Sequence, residues 1–161
     1  MKIVSAVKHS LVGTVVTIGL LSAHTAAGFE VTTVKKGNFD SDLIISADKL
    51  LIEAEIASDL IAAGGEIEVN SNIKGDVLVV GGRIDVTKTI QGGLMAMAGN
   101  LSMEADVLDA VSIFAGKAKV SGDIKGDALA IGGKLDFTGD VDGDLRAAAG
   151  KLTLHQRING N

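Results

Sequence analysis

Apolar residues recur along this chain at two spacings at once. Over short stretches they alternate with other residues, as in Ile67-x-Val69, Val77-x-Val79 and Ile84-x-Val86. A period of two places neighbouring side chains on opposite faces of an extended segment, so these stretches predict β-strands. Over longer distances the pattern returns every 17 residues. One column of equivalent positions holds Leu50, Ile67, Ile84, Leu101, Ala118, Leu135 and Leu152. Two residues on, a second holds Ile52, Val69, Val86, Met103, Val120, Phe137 and Leu154. A third column, Ile56, Ile73, Ile90, Val107, Ile124, Val141 and Ile158, is β-branched throughout.

The glycines keep the same frame without an insertion or deletion. Gly65, Gly82, Gly99, Gly116, Gly133 and Gly150 form one series, and Gly75, Gly92, Gly126, Gly143 and Gly160 another, in which Asp109 is the exception. All 17 glycines from Gly64 onward fall into five columns of the frame. Seventeen residues are too few for a helix-turn-helix unit, and glycines at this density would destabilise helices by about 1 kcal/mol each. The arrangement that superposes equivalent residues is a solenoid. The expected fold is therefore all-β: a right-handed parallel β-helix of about seven 17-residue coils, running from Phe39 to Asn161. Coils ~4.8 Å apart would give a rod about 34 Å long. The glycines are expected at corners, where a positive φ or a close backbone approach excludes a Cβ. A hexapeptide helix does not divide into 17, and GGRID and GGKLD lack the central glycine of calcium-binding nonapeptide repeats.

Residues 1–27 read as a secretory signal peptide. Lys2 and Lys8 make a basic start, Leu11 to Leu21 an apolar stretch, and Thr25-Ala26-Ala27-Gly28 a small-residue cleavage region. The apolar stretch is shorter than the ~18 residues of a membrane span, so a cleaved signal is preferred to an uncleaved inner-membrane anchor. No membrane span is expected once it is removed, and no Cys follows it to carry a lipid. Residues 28–38 would form an N-terminal tail or cap, and 39–161 the β-helix domain. The expected location is outside the cytoplasm, in the periplasm or at the cell surface.

Composition removes further classes. The chain has 161 residues with no Cys, no Pro, no Trp and no Tyr, so there is no disulfide scaffold, thiol nucleophile or zinc knuckle. The net charge of −5 becomes two units more negative when Lys2 and Lys8 are lost. With 2% aromatic residues besides, this argues against nucleic acid as a partner. His155 is the one histidine beyond the signal, and no acidic partner recurs beside it, so no catalytic residues and no enzyme are expected. Carbohydrate-active β-helices use larger coils and aromatic platforms, and this chain offers neither. The corner series Asp42, Asp59, Asp76, Asp127 and Asp144 suggests turn chemistry first and calcium second, so no cofactor and no metal are assigned.

The segment GDVLVVGGRIDV at 75–86 recurs as GDALAIGGKLDF at 126–137 and as GDLRAAAGKLTL at 143–154. In coil length, in its Gly-Asp and Gly-Gly corners and in its aromatic poverty, the chain resembles the bactofilins, bacterial polymer-forming cytoskeletal proteins. The resemblance covers Phe39 to Asn161. It implies a compact β-helix that assembles end to end into filaments without nucleotide and serves as an envelope scaffold. Typical bactofilins are cytoplasmic, so the export signal marks this chain as a relative working beyond the inner membrane.

Two surfaces follow as candidates. An open solenoid end leaves backbone groups unpaired, and the last coil runs through Leu152, Leu154 and Ile158 in register. These three are the expected polymer interface with a second copy, unless the chain end frays or continues as further coils. The other surface is a lateral apolar stripe of Ile61, Leu78, Val80, Met95, Met97, Phe114, Leu129 and Ile131, because the strands around Val77–Val80 are apolar at consecutive positions. Such a stripe marks an association surface, for another copy or another envelope protein, unless a terminal segment covers it. The alternative function is a non-polymerising envelope or adhesin-like module holding a protein or glycan.

Overall fold

The computed structural model describes residues 31–34 and 38–155, and its regular elements are all β-strands. The segment 1–27 expected to be a signal peptide, and Ile158, lie outside the described residues. Two short strands come first, β1 (Val31–Val34) and β2 (Asn38–Phe39), then β3 (Leu43–Ile52) and another short one, β4 (Glu55–Ile56). Six ten-residue strands follow: β5 (Leu60–Val69), β6 (Val77–Val86), β7 (Leu94–Met103), β8 (Val111–Val120), β9 (Ala128–Phe137) and β10 (Leu145–Leu154). Eight strands pair in parallel in the order β1-β3-β5-β6-β7-β8-β9-β10, while β2 and β4 form a two-stranded sheet. The chain is a β-solenoid of about seven turns with roughly 17-residue spacing.

Register follows the repeat to the residue. Ile67 lies beside Ile84, Ile84 beside Leu101, and Leu101 beside Ala118. The β-branched column forms isolated parallel bridges, Ile56 to Ile73 and onward to Val141. A one-residue slip would turn every inward side chain outward, so the buried face locks this register.

Each strand from β5 to β10 switches its inward parity at a central pair of Gly or Ala residues, and β3 has Ala47-Asp48 at that place. In β6, Val77 and Val79 point inward before Gly81-Gly82, and Ile84 and Val86 after it, so the inward parity switches at the corner. The first half of each strand is called wall A here, the second half wall B, and the bridging column wall C. Side chains from the three walls fill the interior: Val79, Ile84, Val86 and Ile90 are all fully buried. Volume is balanced within a coil. Where wall A brings Ile113, wall B has Ala118; where wall B brings Leu135 and Phe137, wall A has Ala128 and Ala130. This trade keeps the interior close-packed without changing the coil's girth.

The glycines serve close approach. No described glycine has a φ in the left-handed region. A Cβ at Gly122 would drive into the Ala105 carbonyl, and one at Gly92 would stand 2.5 Å from the Gly75 oxygen. Coil-on-coil contact, rather than turn conformation, is what excludes a side chain.

At the N-terminal end β1 pairs with β3 one residue out of the frame, Val34 beside Ile52, whereas Phe39 returns to it beside Ile56. Residues 31–34 and 38–39 thus extend walls B and C by one level beyond β3. Val34 and Phe39 pack against the core.

Candidate assembly surfaces

Walls A and B both send alternate apolar side chains inward, but their outer faces differ. With Val77 and Val79 turned inward, Leu78 and Val80 are turned out, and the register repeats this choice in every coil. Of the stripe residues, Ile61, Val80, Met95, Met97, Leu129 and Ile131 are exposed, while Leu78 and Phe114 are half-buried. All eight lie on the outer face of wall A. Ile44 extends the stripe toward the N-terminal end. Ser112 and Arg146 interrupt it, and the Arg146 guanidinium stands 3.6 Å from the Asp144 carboxylate.

The outer face of wall B carries charge at the equivalent positions. The Lys49 ammonium lies 3.3 Å from Glu66 and 3.2 Å from Glu68. Hydrogen bonds to Glu68 and then Glu66 push the Lys49 pKa up. Burial pushes the Asp85 carboxyl up; Arg83 opposes this, and Glu68, Glu66 and Glu104 add to it. Wall C has its own pair, Lys125 to Asp142 at 3.2 Å, which raises the Lys125 pKa. Exposed pairs of this kind add little to stability.

The last described level of the solenoid leaves apolar core-column side chains exposed. Leu152 and Leu154 occupy columns whose residues one coil earlier, Leu135 and Phe137, are fully buried, yet they are 41% and 42% exposed. Among the described residues β10 has no strand on its far side. Of the three residues of the expected polymer interface, Leu152 and Leu154 thus sit together at this level, and Ile158 falls outside the described residues.

The corner aspartates are engaged with backbone. The Asp76 N–H donates to Asp59 Oδ1 at 2.8 Å, the Gly93 N–H to Asp76 Oδ1 at 2.8 Å, and the Asp144 N–H to Asp127 Oδ1 at 2.9 Å. A second ladder joins Asp123 to Asp106 and Asp140 to Asp123, each at 2.9 Å. Each carboxylate thus ties one coil to the next. At the first rung, the Ser58 hydroxyl and then the Asp59 N–H hold the Asp42 carboxyl below its usual range. Among the described residues no three acidic or histidine side chains gather closely enough to hold a metal ion. His155 is exposed.

Two features went unread in the sequence. Leu108 is 48% exposed on wall C, in a column that otherwise carries Ala57, Lys74, Gln91, Lys125 and Asp142. Beside it, Asp109 interrupts the corner. Gly75, Gly92 and Gly143 each donate a backbone bond to the preceding coil, but Asp109 does not, nor does Gly126 above it. An open groove of about 440 Å³ lies beside this break, lined by Asp76, Leu78, Gly93, Met95, Asp109 and Ser112 among others. The signal was available: Asp109 is the one break in its glycine column.

Compared with known proteins, the chain matches no family model, no curated protein and no solved structure at a significant level.

Proposed function

We propose that this protein is a structural scaffold of the bacterial cell envelope, an exported relative of the bactofilins that self-assembles end to end by stacking one β-solenoid on another, without nucleotide. The observation that carries this reading is the exposed apolar level at β10. Leu152 and Leu154 continue columns that are otherwise core, and they stay more than two-fifths exposed. Adding one coil from a second copy would bury both and pair the strand edge. Burying a Leu side chain contributes about 1.5–3 kcal/mol, and edge pairing adds hydrogen bonds of defined register. The other components of the reading, export and the bactofilin likeness, rest on the sequence features described above.

Negative-stain microscopy and sedimentation of the chain starting at Gly28 test it. Filaments that form without nucleotide or metal are expected. Leu154→Lys should disperse them while the β signal in circular dichroism persists. A monomer that stays stable at high concentration would overturn the assembly reading in favour of a binding module.

A further inference from the structure

We propose that Met95 and Met97 form a modification site for two-electron oxidants of the peroxide class, and that their conversion to sulfoxides cuts the apolar stripe of wall A in two while the solenoid stays folded.

The chain has four methionines, and no Cys, Trp or Tyr to compete for an oxidant. Met1 lies in the segment expected to be a signal peptide. The other three all belong to β7, and they face two ways. Met103 is fully buried, whereas Met95 and Met97 are 42% and 41% exposed. These two point outward from the first half of the strand, two residues and so ~6.6 Å apart. Met95 also lines the open groove beside Asp109. A small oxidant dissolved in water therefore meets two of the three thioethers and is kept from the third.

The transfer balances with hydrogen peroxide alone. A sulfur lone pair attacks one peroxide oxygen, the S–O bond forms and the O–O bond breaks. The proton on the attacked oxygen passes to the departing hydroxide, which leaves as water. Sulfur loses two electrons and the peroxide gains them, and a flexible apolar side chain becomes a polar one.

Position gives this chemistry its consequence. In one outer column Met95 stands between Leu78 and Ser112, and in the other Met97 stands between Val80 and Phe114. Ser112 already interrupts the first column. Two sulfoxides at the level of β7 would make both columns polar at one coil. What remains is an apolar patch around Ile61, Leu78 and Val80, separated from another around Phe114, Leu129 and Ile131. The attraction of an exposed stripe depends on its being contiguous, so the cut weakens it more than the loss of two side chains would suggest. The interior is untouched, because Leu94, Ala96, Leu101 and Met103 of the same strand face the other way and are buried. Leu152 and Leu154 contain no sulfur, so this site acts apart from the proposed end-to-end contact.

Peroxide treatment of the full chain at neutral pH, followed by tandem mass spectrometry of its peptides, reads the oxygen added at each methionine. Met95 and Met97 should gain oxygen about tenfold faster than Met103 or more, and concentrated urea should erase that difference. The oxidised chain should keep its β signal in circular dichroism and elute earlier from a phenyl column than the untreated chain. Met95→Leu with Met97→Leu, which leaves the stripe apolar, should show no such shift after the same treatment. Equal rates at the three methionines of the folded chain would overturn the proposal. So would loss of the β signal on oxidation, an unchanged elution, or an equal elution shift in the double variant.

Discussion

The two halves of each ten-residue strand follow the same inward rule, trading volume between them, and differ in kind on their outer faces. Both stack in the same register, both send alternate aliphatic side chains into the core, and both meet at the same small-residue corner. Outside, wall A shows Ile61, Val80, Met95, Met97 and Ile131, while wall B shows Glu66, Arg83, Lys117, Lys119 and Lys134. Wall B therefore demonstrates that a coil of this solenoid stacks well with charges facing water. Nothing in the fold calls for the apolar outside of wall A, and an exposed apolar strip carries an association cost unless it has a partner. The difference separates what the core requires from what the surface is for.

The largest effects should come from inside, and they should be the same for both walls. Ile84→Ala in wall B and Ile113→Ala in wall A each empty a fully buried site. Each should lower unfolding free energy by about 2–5 kcal/mol, the range for Ile→Ala in packed cores. Urea titration followed by circular dichroism would check this. A clearly smaller loss at Ile113 would mean that wall A is loosely packed, and the equivalence of the interiors would fail. Outside, the walls should part company. The double change Val80→Lys and Met97→Lys should move stability by no more than about 0.5 kcal/mol, as exposed substitutions do, and should suppress lateral association in sedimentation velocity. The reverse change in wall B, Lys117→Leu with Lys134→Leu, should add a second adhesive strip and raise the sedimenting mass. If Val80→Lys with Met97→Lys unfolds the chain, the outer face of wall A is structural after all.

Much of this was readable from the chain because a solenoid converts sequence distance into contact. The 17-residue glycine and Ile/Val columns are the observed register, so Ile73 beside Ile90 could be read from spacing alone. What spacing left open was which parity of wall A faces in. Leu78, Val79 and Val80 are all apolar, so periodicity has nothing to choose between. The choice is made at Gly81-Gly82, where the bend must deliver Ile84 and Val86 to the same interior as Val79. The role of the glycines was half open for a similar reason. Positive φ and close approach both favour Gly, and only the position of the neighbouring coil, such as the Ala105 carbonyl over Gly122, separates them. The shifted pairing of β1 lay outside the frame altogether, because Val31–Val34 has no glycine column to anchor it.

The smallest expected effect lies on wall B and tests whether its charges serve stability. Asp85 is half-buried between Glu68 and Ser102 on the neighbouring strands. Burial raises its pKa above the ordinary 3.8, with Glu68, Glu66 and Glu104 adding to the rise and Arg83 resisting it. The folded state thus disfavours the ionised carboxylate. Stability is lost as pH rises through the raised pKa, and the penalty is absent below the unfolded value. Asp85→Asn should therefore be slightly more stable than the parent at neutral pH. Its advantage should shrink as pH falls through the Asp85 pKa and vanish near 3.8. Lys49, on the same wall, runs the other way. Glu68 and Glu66 raise its pKa, so its contribution is present at neutral pH and lost only as pH climbs through that raised value. Urea midpoints measured from neutral to acidic pH would show the Asp85→Asn advantage; a constant difference across that range would mean that ionisation is not its source. Assembly should be indifferent to this change, because Asp85 faces away from wall A. A substitution that raises stability without touching association, set against Met97→Lys, which should do the opposite, would separate the two walls by function.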